Sequence, residues 1–158
     1  MTSRPEKGDT APSITLPATD EQTVDLAAPK GKGRVVFFYP KDNTPGCTTE
    51  AVAFSGLAEE FGKLGVDIVG VSKDSLKSHA NFVAKHDLTV TLASDPDGAA
   101  CEGFGVWVEK KNYGRTYMGI ERSTFLILPD GTIAEVWRKV RVKAHAEAVL
   151  DATRAALN

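Results

Sequence analysis

The sequence predicts an α/β fold, and three observations carry that prediction. Short continuous apolar runs recur at residues 35–39, 66–71 and 90–93, each too short for a buried helix and of the kind found in central strands. Between them lie stretches whose apolar residues follow helical spacing. The resulting alternation of strand and helix predicts right-handed crossovers and largely parallel pairing among these strands.

In chain order, residues 13–26 alternate loosely about Ala18-Thr-Asp-Glu-Gln22 and read as a short hairpin ahead of the main fold. After the strand at 35–39, Phe54, Leu57, Ala58 and Phe61 give residues 48–64 one apolar helical face. Leu76, Ala80 and Val83 do the same between the second and third strands. A short helix is predicted over 97–104. Residues 109–119 are polar and glycine-bearing and read as a loop. Strands at 123–128 and 132–137 flank Pro129-Asp-Gly131, an antiparallel hairpin signal, and an alanine-rich helix closes the chain at 144–157. This order is what a thioredoxin-like fold with an N-terminal β-hairpin and an inserted helix/strand unit gives. Residues 1–158 contain no repeat or linker, so a single domain is expected.

Nineteen Lys and Arg against twenty-one Asp and Glu give a net charge of -2 without long runs of one sign. Neither nucleic acid nor a membrane surface is therefore an expected partner. No stretch has the length of a signal peptide or a membrane span, so a cytoplasmic location is expected. A chain of this size buries enough surface to fold without staples, which leaves its two cysteines, Cys47 and Cys101, free for chemistry. The three histidines and two cysteines form no metal-binding spacing, and neither metal nor cofactor is expected.

The segment from Tyr39 to Cys47 leaves the first central strand and enters the first long helix, the strand end where open α/β sheets hold ligands. Thr44 can cap that helix and Pro45 suits its first position. Cys47 then stands in the first turn, among amide N–H groups that lack intrahelical partners and favour a thiolate over a thiol. Nucleophilicity falls as thiol acidity rises, so a fast reaction needs more than a thiolate. Donors aimed at charge developing on the leaving atom would supply it, from Thr44, the Cys47 amide and an arginine.

These residues resemble a known family. Pro40-x-x-x-Thr44-x-x-Cys47 is similar to the peroxidatic motif of the peroxiredoxins. Pro45-Gly-Cys-Thr-Thr-Glu50 resembles the bacterioferritin comigratory protein, or peroxiredoxin Q, subgroup, as does Tyr117-Met-Gly-Ile-Glu-Arg122-Ser-Thr-Phe-Leu-Ile127. The resemblance implies reduction of hydrogen peroxide and organic hydroperoxides through a sulfenic acid on Cys47. It also implies that Thr44 orients the peroxide, Pro40 shields the pocket, Arg122 stabilises thiolate and transition state, and Glu50 orients the arginine.

Resolution of the sulfenic acid is where the chain departs from the family. Members carry the resolving cysteine five residues after the nucleophile or in the next long helix, where this chain has Val52 and Val83. Cys101 is expected on a short helix with its apolar side inward, a structural thiol. A one-cysteine mechanism follows, with thioredoxin, glutaredoxin or a low-molecular-weight thiol as reductant. The alternatives are a Cys47–Cys101 disulfide reduced by thioredoxin and, outside catalysis, a redox-sensing binding protein. A disulfide oxidoreductase is disfavoured, because Thr44 stands where a Cys-x-x-Cys pair needs its other thiol. The cluster Lys110, Lys111 and Arg115 reads as a solvated loop, with docking of a reductase as its functional alternative.

Overall fold

The computed structural model describes residues 4–157. Thr15–Ala18 (β1) and Gln22–Asp25 (β2) form the N-terminal hairpin, followed by Gly33–Phe38 (β3), Pro45–Lys63 (α1), Val66–Ser72 (β4), Leu76–His86 (α2) and Thr91–Ser94 (β5). Ala99–Gly103 (α3), Trp107–Asn112 (β6), Arg115–Ile120 (β7), Ser123–Ile127 (β8), Ile133–Trp137 (β9) and His145–Leu157 (α4) complete the chain. Seven strands make one mixed sheet in the order β2-β1-β5-β4-β3-β8-β9. The pairs β3–β4 and β4–β5 are parallel, and β8 runs antiparallel to β3. None of the helices in the described residues is long and apolar enough to cross a membrane.

Every residue of β3 is buried, which is why Val35–Phe38 is a continuous apolar run rather than an alternation, and the buried Arg34 pairs with Asp67 at 3.0 Å. Successive side chains go to opposite faces. Val35, Phe37 and Tyr39 join Cys47, Ala51, Phe54, Phe82 and Val149 on one side. Val36 and Phe38 join Cys101, Phe104 and Phe125 on the other. The rings of Phe37 and Phe54 stack at 4.7 Å between centroids, and burying each ring contributes roughly 2–3 kcal/mol. That contact fixes α1 against β3.

The first long helix starts at Pro45, the first position expected of it, where proline has no N–H to leave unsatisfied. Two other sequence expectations shift. The helix expected over 97–104 is confined to Ala99–Gly103. The loop expected over 109–119 is an antiparallel hairpin, β6–β7, forming a separate two-stranded sheet. Its two connecting residues, Tyr113 (φ 52°) and Gly114 (φ 77°), both adopt the left-handed backbone that tight two-residue hairpins require. The strand residues are mostly exposed and polar, so no apolar alternation marks them.

Candidate active site

The carboxyl end of β3 and the start of α1 bring the first side chains together. Pro40 is exposed just past the strand, and Thr44 occupies the N-cap position of α1 with extended backbone. The first intrahelical bond of α1 runs from the Thr48 amide to the Thr44 carbonyl at 2.9 Å, so the Cys47 amide precedes it in the first turn. Thr44 does not cap the helix with its side chain, contrary to expectation. Its hydroxyl donates to the Lys41 carbonyl at 2.8 Å, closing the loop upon itself. A hydroxyl with its proton so engaged still offers lone pairs, so it is available as an acceptor rather than as the donor the sequence suggested.

Arg122 arrives through strand register. Phe38 of β3 pairs with Ser123 of β8, so residue 122 lies alongside the end of β3 where α1 begins, although 75 positions separate it from Cys47. Its carbonyl accepts a hydrogen bond from the Val140 amide at 3.0 Å. Its guanidinium spans two partners: Nη2 donates to Cys47 Sγ at 3.4 Å and Nη1 to Glu50 Oε1 at 2.7 Å. Cys47 and Glu50 are three residues apart, which puts them on one face of α1, and each is only 1% exposed.

The second Glu50 oxygen, Oε2, is buried without a hydrogen-bond partner. Burial therefore outweighs the attraction of Arg122 and pushes the Glu50 carboxyl up to about 7. Arg122 goes the opposite way to an ordinary buried cation: desolvation would weaken it, but Glu50 and Cys47 hold its proton more tightly than usual. The arrangement concentrates a fixed cation on the sulfur while its carboxylate partner is only partly ionised at neutral pH.

Gly46 makes this approach possible, since a Cβ there would lie 3.2 Å from Arg122 Nη2. Gly46→Ala is expected to push the guanidinium off the sulfur and to slow the reaction of Cys47 with hydrogen peroxide by roughly 10-fold. Folding stability should not fall, because alanine is the better helix former by ~0.5–1 kcal/mol. Stopped-flow kinetics beside urea unfolding checks both halves.

A cavity of about 500 Å³ opens next to Arg122, with Val108, Lys110, Tyr117, Lys139 and Val140 in its lining. Sequence reading had left Lys110 in a solvated loop. The hairpin instead half-buries it, with its stem packed over Gly119, and burial together with Arg122 lowers its hold on a proton. His145 was also missed. It is buried, hydrogen-bonded to Thr124 Oγ1 at 2.8 Å, and pushed down to about 4 by burial and then by the charge of Arg122. The sequence held no signal for either, because both depend on which strands become neighbours.

Cys101 is fully buried and packs with the opposite core from Cys47. Both thiols are free. Burial first, then the neighbouring Asp95, pushes the Cys101 thiol far above its ordinary range, the behaviour of an inert core thiol.

The AhpC/TSA family model matches residues 7–136. Peroxiredoxin Bcp of Xanthomonas campestris pv. campestris is 53% identical over 130 residues, covering 82% of this chain and 81% of that protein. Peroxiredoxin Bcp of Bacillus subtilis is 48% identical over 145 residues, 92% of each. A solved structure of Xanthomonas campestris bacterioferritin comigratory protein, which addresses that protein's alkyl peroxide reduction activity, superposes with a TM-score of 0.86. It is 48% identical and covers 92% of both chains.

Proposed function

Because the chain belongs to the AhpC/TSA family of peroxiredoxins and is a thiol peroxidase, we propose that Cys47 attacks the peroxide and that an external thiol, not Cys101, restores it. One domain spanning residues 1–158 carries the reaction. The observation behind the assignment is the Arg122 guanidinium held on Cys47 Sγ and backed by Glu50.

In the first step the thiolate of Cys47 attacks one peroxide oxygen. An S–O bond forms as the O–O bond breaks, sulfur is oxidised to the sulfenic acid, and the other oxygen leaves as alcohol or water after taking a proton. Arg122 and the Cys47 amide stabilise charge growing on the oxygens, Thr44 accepts the peroxide O–H, and Pro40 screens the pocket from water. In the second step a thiol condenses with the sulfenic acid, releasing water and leaving a mixed disulfide, and a second thiol displaces Cys47. The burial of Cys101 in the opposite core supports this route, since a Cys47–Cys101 bond would require the sheet to open. Substrates are hydrogen peroxide and organic hydroperoxides, with thioredoxin, glutaredoxin or a small thiol as reductant and the cytoplasm as the location.

Stopped-flow mixing with hydrogen peroxide tests the first step: Cys47 should react orders of magnitude faster than a free thiol, and parity with a free thiol would falsify the assignment. Mass spectrometry after one equivalent of peroxide tests the second. A sulfenic acid that added thiol converts to a mixed disulfide is expected, and a Cys47–Cys101 disulfide would overturn the one-cysteine route.

A further inference from the structure

We infer that His79 is a positioning residue for peroxide reduction: its buried ring pins Asp42 and thereby the loop that delivers Thr44 and Cys47. The inference rests on the peroxidase reading above. Ser75 caps α2 by accepting from the Ser78 amide at 3.1 Å, and the next residue, His79, points fully buried beneath the loop between β3 and α1. Both ring nitrogens meet acceptors. Nε2 lies 3.0 Å from the Ala93 carbonyl oxygen and Nδ1 lies 2.7 Å from Asp42 Oδ2. A carbonyl has no proton to give, so Nε2 carries one.

Asp42 meets the other nitrogen. Burial pushes its carboxyl up, but hydrogen bonds from His79, Tyr39 and Ser78, with the charge of His79, bring it below the usual carboxylate range. The Nδ1–Oδ2 hydrogen bond thus belongs to a set, with those from Tyr39 and Ser78, that fixes the Asp42 carboxyl group. Tyr39 Oη donates to Asp42 Oδ1 at 2.6 Å and Ser78 Oγ to Oδ2 at 2.8 Å. The Asp42 amide in turn donates to Asp74 Oδ2 at 2.9 Å, an oxygen that also accepts from Ser72 Oγ at 2.6 Å. The titratable groups facing His79 are thus Tyr39 just past β3, Asp42 in the loop and Asp74 beyond β4, while β5 offers the Ala93 carbonyl.

Asp42, Asp74 and His79 also lie close enough to hold a metal ion. Their short hydrogen bonds already occupy the atoms that would ligate one, which favours the clamp. Its position matters more than its contacts. Asp42 precedes Thr44 by two residues, and the intervening backbone sits beside the Lys41 carbonyl that takes the Thr44 hydroxyl proton. The loop that carries Thr44 toward Cys47 is therefore anchored at Asp42, whose carboxyl His79 holds together with Tyr39 and Ser78.

The test compares two rates at Cys47: oxidation by hydrogen peroxide, which needs the oriented cradle, and alkylation by iodoacetamide, which needs only an accessible thiolate. In His79→Gln and Asp42→Asn the peroxide rate should fall roughly 10-fold while alkylation changes less than about twofold. If His79→Gln fails to fold, Asp42→Asn still decides the matter through the ratio of the two rates. A fast wild type whose peroxide-to-alkylation ratio is unchanged in the variants overturns the inference. A wild type no faster than a free thiol overturns the peroxidase reading instead.

Discussion

Arg122→Ala is expected to slow the reaction of Cys47 with hydrogen peroxide by about 10²–10³-fold, the usual cost of removing a preorganised donor to developing charge. What sets this substitution apart is how little stability it should lose. Breaking a buried ion pair ordinarily costs about 3–5 kcal/mol, because a charge is stranded. Here the stranded group is Glu50, whose carboxyl already titrates at about 7. Without Arg122 it takes up a proton, and forcing it neutral costs on the order of 1 kcal/mol or less near neutral pH, rising as the pH rises. The packing of the arginine stem adds to this.

Urea unfolding of Arg122→Ala should therefore show a penalty that grows with pH, and this pH dependence should disappear when Glu50→Gln is added, while activity stays lost in the double variant. Arg122→Lys gives the complementary result. One ammonium cannot bridge Cys47 Sγ and Glu50 Oε1 as the two guanidinium nitrogens do, so most of the rate should remain absent. A near-normal rate in Arg122→Lys would mean that charge alone, and not the fork, serves Cys47.

The parts of this molecule that were legible in its sequence are those governed by short-range rules. Residues 35–39 read as a central strand because both faces of β3 are buried, and Phe54, Leu57, Ala58 and Phe61 marked the inner face of α1. Cys47 and Glu50 could be placed on one side of that helix from their spacing alone. Arg122 could not. Its place beside Cys47 follows from the Phe38–Ser123 register, a long-range pairing that only an inferred fold supplies.

The illegible parts share a cause. The β6–β7 hairpin is held by backbone pairing with exposed side chains, so its residues carry no period, and its turn uses Tyr113 where glycine or asparagine would have given the signal. Thr44 had two backbone partners within reach, the helix start and the Lys41 carbonyl, and sequence cannot rank them. His79 looked like an ordinary member of an amphipathic helix because its partner, Asp42, is 37 residues away.

Two buried groups beside Arg122 should oppose each other in the pH dependence of folding. Glu50 is raised from 4.5 to about 7, so between those values the folded chain keeps a proton that the unfolded chain has released, and stability falls as pH rises. His145 is lowered from 6.5 to about 4, so over that window the unfolded chain holds the extra proton and stability rises with pH. Each slope approaches 1.4 kcal/mol per pH unit and spans on the order of 3 kcal/mol. Their overlap, from 4.5 to 6.5, nearly cancels. The other resolved buried shifts act elsewhere: Asp42 below its ordinary value of 3.8, Cys101 and Tyr39 in the alkaline range. Wild type should accordingly look insensitive to pH across this interval because of these two groups, not for want of titrating ones. Glu50→Gln should expose the rise due to His145, His145→Gln the fall due to Glu50, and the double variant should be level again. Urea unfolding at half-unit steps from pH 4.5 to 6.5 measures all four slopes. Single variants running parallel to wild type would show that neither group changes its proton affinity on folding, and would remove the basis for a partly neutral Glu50 behind Arg122.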